Sequence, residues 1–107
     1  MLKNFRTYQL SLEFYHLASK IRMQNHLKDQ LLRAASSVSL NLAEGAAKRT
    51  PKDRRKFYNI AQASMIECSA IFDLNKIEDK SLRDLISALN GSLYNLVRYY
   101  ENKSLVS

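Results

Sequence analysis

Apolar residues recur at three- and four-residue spacing along nearly the whole chain, and the pattern breaks near Asn25, Arg49 and Asp79. That period is helical, so the chain divides into four segments. The first, Asn4 to Gln24, carries two apolar stripes: Phe5, Tyr8, Leu12 and Tyr15 on one side, and Leu10, Phe14, Leu17 and Ile21 on the other. A helix on the outside of a bundle needs only one apolar face. Two arrangements account for the second: a partner subunit covers Phe5, Tyr8, Leu12 and Tyr15, making a homo-oligomer, or the bundle wraps most of the helix and leaves a tyrosine or two at its surface.

The second segment, His26 to Ala47, aligns Leu27, Leu31, Ala34, Val38, Leu42 and Gly45 as a core stripe. Along its edge run Gln30, Arg33, Ser37, Asn41 and Glu44, so polar groups border the apolar face and need partners there. The third opens on Thr50-Pro51-Lys52-Asp53, which supplies an N-cap hydroxyl, a proline at the first helical position and a carboxylate at N3. It should run to Glu78, with Phe57, Ile60, Ala61, Ser64, Cys68, Ile71 and Asn75 inward and Glu67 on the flank. A buried carboxylate needs a cation, and Arg33 is the nearest chemical match, which predicts an Arg33–Glu67 pair within a polar network of Gln30, Arg33, Ser37, Asn41, Glu44 and Glu67.

The fourth segment starts at the capping box Ser81-Leu82-Arg83-Asp84 and runs to Asn102, with Leu82, Leu85, Ile86, Leu89, Leu93, Leu96 and Tyr100 in one stripe. Gly91 interrupts it at about 1 kcal/mol relative to alanine, explained either by close backbone packing or by simple tolerance. Short connections demand antiparallel neighbours. The expected fold is all-α, an antiparallel up-down-up-down four-helix bundle forming one domain over residues 1–107.

Composition agrees: 107 residues with 46% apolar content build one ordinary core, and two Gly and one Pro leave little for the turns of a β-sandwich. A lone Cys excludes an intramolecular disulfide framework and fits a reducing, cytoplasmic compartment. No run of about 18 apolar residues exists to span a membrane, and the opening MLKNFRTYQL lacks the apolar block of a secretory signal.

Charge changes the picture more. The net charge is +7, and KRTPKDRRK, from Lys48 to Lys56, holds six of the seventeen basic residues and one acid. In the expected bundle one pole gathers Lys3, Arg6, Lys48, Arg49, Lys52, Arg54, Arg55, Lys56, Arg98 and Lys103 against Glu44, Asp53 and Glu101, whereas the other is nearly neutral. A polyanion is the obvious counterpart, so Lys48, Arg49, Lys52, Arg54, Arg55 and Lys56 are the candidate residues for RNA or DNA backbone. The start of the third helix adds backbone N–H groups suited to phosphate, and Tyr58 and Tyr99 are the stacking candidates. A solvated surface loop is the plain alternative.

Candidate chemistry is otherwise thin. His16, His26 and Cys68 form no motif, Glu44 and Glu67 lack the Glu-x-x-His companions of a di-iron bundle, and there is no Gly-rich phosphate loop. No metal, no cofactor and no enzyme activity are expected.

The run Gln30 to Gly45, QLLRAASSVSLNLAEG, and the run Phe57 to Glu67, FYNIAQASMIE, closely resemble the signature of the small four-helix bundle proteins of the 23S rRNA intervening-sequence family; Phe5 to Ile21 and Leu89 to Leu93 fit more loosely. Ser39 departs from the pattern, which often has Pro there, so a straighter second helix is expected. The resemblance implies a ring-shaped homopentamer, and a related branch comprises the accessory variability proteins of diversity-generating retroelements, which bind nucleic acid and a reverse transcriptase through a basic surface. It also implies that Arg33, Ser37, Asn41, Glu44 and Glu67 are architecture. Two functions follow: a non-catalytic oligomer binding nucleic-acid backbone, or a protein-interaction module docking through Tyr8, Leu12 and Tyr15 or the basic pole.

Overall fold

A computed structural model describes residues 2–106, Val106 by its backbone alone. After a short 3-10 turn at Leu2–Asn4 come α1 (Arg6–Ala18), α2 (Asn25–Ala46), α3 (Pro51–Leu74) and α4 (Lys80–Val106), with no strand among the described residues. Each helix packs on two others, in the cyclic order α1, α2, α3, α4. Cross-contacts run in opposite chain directions: Gln30 meets Glu67 and Ser37 meets Ser64 between α2 and α3, while Ser69 meets Asn90 and Arg54 meets Tyr100 between α3 and α4. The bundle is therefore antiparallel, about 45 Å long.

The core is one cluster drawn from all four helices, centred on Phe14, Leu31, Val38, Leu42, Met65, Phe72, Leu89 and Leu93. Phe14 and Phe72 meet at 5.8 Å between ring centroids. Four small polar clasps join the neighbours, one per helix pair: Thr7 to Ser92, Ser11 to Ser39, Ser37 to Ser64 and Asn90 to Ser69. The Ser11–Ser39 pair is buried, at 2.8 Å.

Several boundaries differ from the sequence expectation. Helix α1 stops at Ala18, not Gln24. Beyond it the exposure alternates, with Ile21 and Met23 half-buried against the core and Arg22 and Gln24 outside, a period of two that a helix does not provide. The Lys28 ammonium bonds back to the Ile21 carbonyl and holds this segment in place. Helix α3 stops at Leu74, not Glu78. Lys76 takes φ +52°, the Ile77 N–H donates to the Phe72 carbonyl at 3.1 Å and the Lys76 N–H to that of Asp73 at 3.2 Å, a left-handed C-terminal cap. The cap of α4 is Asp79, whose carboxylate accepts from the Leu82 N–H at 3.0 Å, not Ser81.

The inward face of α3 is rotated from the expected one. Tyr58, Ala61, Met65, Cys68, Ile71 and Phe72 are buried, while Phe57 is half-buried and Ile60 is exposed. Gly45 admits the Tyr58 ring: a methyl group at Gly45 would lie 2.5 Å from Tyr58 Cε1. Gly91 faces open space, so close packing does not explain it.

Candidate nucleic-acid interface

The loop from Ala47 to Thr50 and the first two turns of α3 carry the basic run, and the expected cap is in place: the Asp53 N–H donates to Thr50 Oγ1 at 3.1 Å. That cap narrows the backbone's role in anion binding. Pro51 has no N–H and the N–H of Asp53 is engaged, leaving only that of Lys52 among the first three positions.

The six basic side chains separate into two groups. Arg54 is half-buried and structural: its Nε donates to the Lys48 carbonyl at 2.8 Å, its Nη1 to Tyr100 Oη at 2.9 Å, and its guanidinium lies 5.6 Å from the Tyr100 ring centroid. Arg55 reaches Ser104 on α4, and Lys48 pairs with Glu44 at 3.3 Å while covering the Phe57 ring at 5.1 Å. Arg49, Lys52 and Lys56 are exposed; none has a side-chain hydrogen bond or ion pair among the described residues, and Lys56 lies 5.9 Å from Phe57. With no such contact to give up, these three are the cations of the run most open to a phosphate.

Beside them stand the ends of the other helices. Lys3 and Arg6 are exposed on either side of Phe5; on α4, Arg98 donates to Tyr94 Oη at 3.1 Å and Lys103 lies over Tyr99 at 5.5 Å. Tyr94 and Tyr99 are more than half exposed, which suits a stacking surface. Tyr58 is not one: it is 2% exposed, and its ring meets those of Phe5 at 6.0 Å and Tyr100 at 5.3 Å. Burial first, then the neighbouring Tyr100, pushes its hydroxyl up to about 12, with Arg54 acting the other way.

The polar stripe of α2 divides into separate contacts. Gln30 donates to Glu67 at 3.4 Å; Ser37 bonds Ser64 at 2.8 Å and accepts from Asn41 at 3.1 Å; Glu44 serves Lys48. The Arg33–Glu67 ion pair does not form. Both side chains are exposed, so the premise of a buried carboxylate in need of a cation fails, and Glu67 takes the Gln30 amide. The contacts the sequence did not signal, Arg54 to Tyr100 and Arg55 to Ser104, join residues 46 and 49 positions apart and leave no local pattern to find.

The second apolar stripe of α1 is mostly covered by its own bundle, with Phe5, Tyr8, Leu12 and Tyr15 all half-buried. The large apolar side chains left exposed on α2 and α3 are Leu40, Ile60, Ile66 and Leu74. Cys68 is buried, and burial, reinforced by Glu67, pushes its thiol up to about 12, so it stays protonated at neutral pH. Among the described residues no cluster of His, Cys, Asp or Glu is arranged to hold a metal ion, and no helix is long and apolar enough to cross a membrane. No curated protein matches the chain. The family model for the 23S rRNA-intervening sequence protein, however, matches residues 5–97, which take in α1, α2, α3 and the first two thirds of α4, and the chain belongs to that family.

Proposed function

We propose that the protein is a non-catalytic homo-oligomer, a pentamer on the family resemblance, that holds nucleic-acid backbone on its basic pole. The observation that carries this reading is the convergence of exposed, unpaired Arg49, Lys52 and Lys56 with Lys3 and Arg6 at one end of the bundle, with exposed Tyr99 near the end of α4. Oligomerisation is supported by Leu40, Ile60, Ile66 and Leu74, apolar side chains of α2 and α3 that a second copy would cover.

The test is fluorescence anisotropy with labelled RNA and DNA at two salt concentrations, on protein whose mass has been fixed by light scattering. Binding should weaken steeply with salt. The triple variant Arg49→Glu, Lys52→Glu, Lys56→Glu should lower the magnitude of the log–log salt slope by about 2 on a single strand, from about 0.7 per phosphate contact. These positions are better than Arg54 and Arg55, whose replacement would also break contacts to α4. No binding at low salt would refute the reading and leave a protein partner, such as a reverse transcriptase, as the alternative.

A further inference from the structure

At the basic pole a cavity of about 200 Å³ lies between Phe5, Tyr58 and Tyr100, with Ala46 and Leu96 completing its apolar wall and Arg54 beside it. An apolar cavity of about 150 Å³ is enough to hold benzene, so this one has room for a single flat ring system and too little for a ligand of ordinary drug size. Phe5 and Tyr100, both half-buried, supply aromatic surface for such a ring.

Its polar groups are only partly engaged. Tyr58 is 2% exposed, yet its hydroxyl makes no hydrogen bond among the described residues. It is not sealed in either, because no polar side-chain atom among the described residues is both fully buried and without a partner. The hydroxyl of this otherwise buried side chain is therefore not wholly cut off from solvent. Arg54 uses two of its five N–H groups, on the Lys48 carbonyl and on Tyr100 Oη, and three remain. A hydroxyl and a guanidinium with donors to spare suit a ring edge bearing a carbonyl oxygen. Around the cavity the exposed cations outnumber the acids: Lys3 and Arg6 flank Phe5 and Arg49 lies on the loop before α3, against Glu101 beside Tyr100, Asp53 beside Arg54, and Glu44, which is paired with Lys48.

We propose that this cavity is a base slot, taking one unstacked, carbonyl-bearing nucleobase from a single strand whose neighbouring phosphates meet Lys3, Arg6 and Arg49. The proposal rests on the nucleic-acid reading above and adds to it a preference for unpaired strands, since a paired base cannot enter a cavity walled by three rings. Adenine, whose edge has no carbonyl, fits less well.

Anisotropy on the full chain tests it with a labelled oligouridylate, an oligoadenylate of equal length and a duplex. Wild type should bind oligouridylate most tightly. Tyr58→Phe removes only the unpartnered hydroxyl, so its melting temperature should match wild type while its preference for oligouridylate over duplex falls about five-fold, the worth of one hydrogen bond. Ala46→Leu, which fills the cavity, should reduce that preference at least as far. If both variants keep the wild-type preference, or wild type shows none, the slot is overturned and the basic pole stands. If wild type binds neither strand nor duplex, both readings fall. Uridine monophosphate that competes as well per nucleotide as the strand would overturn the assignment to a strand.

Discussion

Replacing Gly45 by alanine adds one methyl group where the structure has least room for it, and the same change at Gly91 adds it where there is nothing to meet. At Gly45 the new Cβ would lie 2.5 Å from Tyr58 Cε1 and 2.9 Å from Cδ1, and the ring it strikes is wedged against Phe5 and Tyr100. At Gly91 no atom lies within 4 Å. Both positions are helical, so both gain about 1 kcal/mol of intrinsic helix propensity. Overpacking a core typically costs 1–3 kcal/mol, taken here as about 2 kcal/mol. The net expectation is about 1 kcal/mol of stabilisation for Gly91→Ala and about 1 kcal/mol of destabilisation for Gly45→Ala. At roughly 4–8 °C per kcal/mol for a domain of this size, the melting temperatures should separate by about 8–16 °C. Circular dichroism at 222 nm with heat and with urea measures this, at one protomer concentration so that any assembly contributes equally. Equal rises in both variants would refute the claim that the Tyr58 ring is pinned against the backbone of α2.

Lys76 occupies the left-handed region at φ +52°, which disfavours a side chain by about 1–2 kcal/mol, so Lys76→Gly should stabilise the fold by up to about 1 kcal/mol after the added freedom of the unfolded chain; urea unfolding checks it. Tyr58 and Cys68 both have raised values in the folded state, near 12, against ordinary values of 10.0 and 9.0, and each is neutral when protonated. Their contribution is therefore complete below pH 9 and is lost as pH climbs from 9 toward 12. Urea midpoints measured across that range should fall, and in Cys68→Ala the fall should begin nearer pH 10.

The helices were legible because their signals are local: a three-to-four period, a Thr-Pro-x-Asp start, polar breaks at the loops. The face of α3 was not. Two overlapping stripes run along that helix, one through Phe57, Ile60 and Ser64 and one through Tyr58, Met65 and Phe72, and both contain Ala61, Cys68 and Ile71. Hydrophobicity alone does not separate them. What decides is the gap Gly45 leaves for an aromatic ring, a property of a different helix. The basic run was equally plain in the sequence, but charge does not record its own destination. Arg54 sits at the fourth position of α3 and bonds the carbonyl six residues earlier; Arg83, at the fourth position of α4, bonds that of Ile77 in the same way. Both act as loop closures, so a count of cations overstates those free for a ligand.

The four hydroxyl and amide clasps answer a question the apolar core leaves open. Leucine and alanine stripes repeat every turn, so a helix displaced along its axis by 5.4 Å still presents grease to grease. The clasps do not repeat along the whole stripe, and a displacement that parts Ser11 from Ser39, the fully buried pair, strands two hydroxyls at about 1–3 kcal/mol each, while the three half-buried clasps cost less. Because every helix pair carries one such contact, no single helix can slip without losing two of them. Against a net stability of about 5–15 kcal/mol, the loss of the buried Ser11–Ser39 pair is a large fraction. The clasps thus work as the teeth of a key: they add little to the strength of the bundle and select one axial alignment from several of similar greasiness, which keeps the four helix ends, and the cations on them, at a common height.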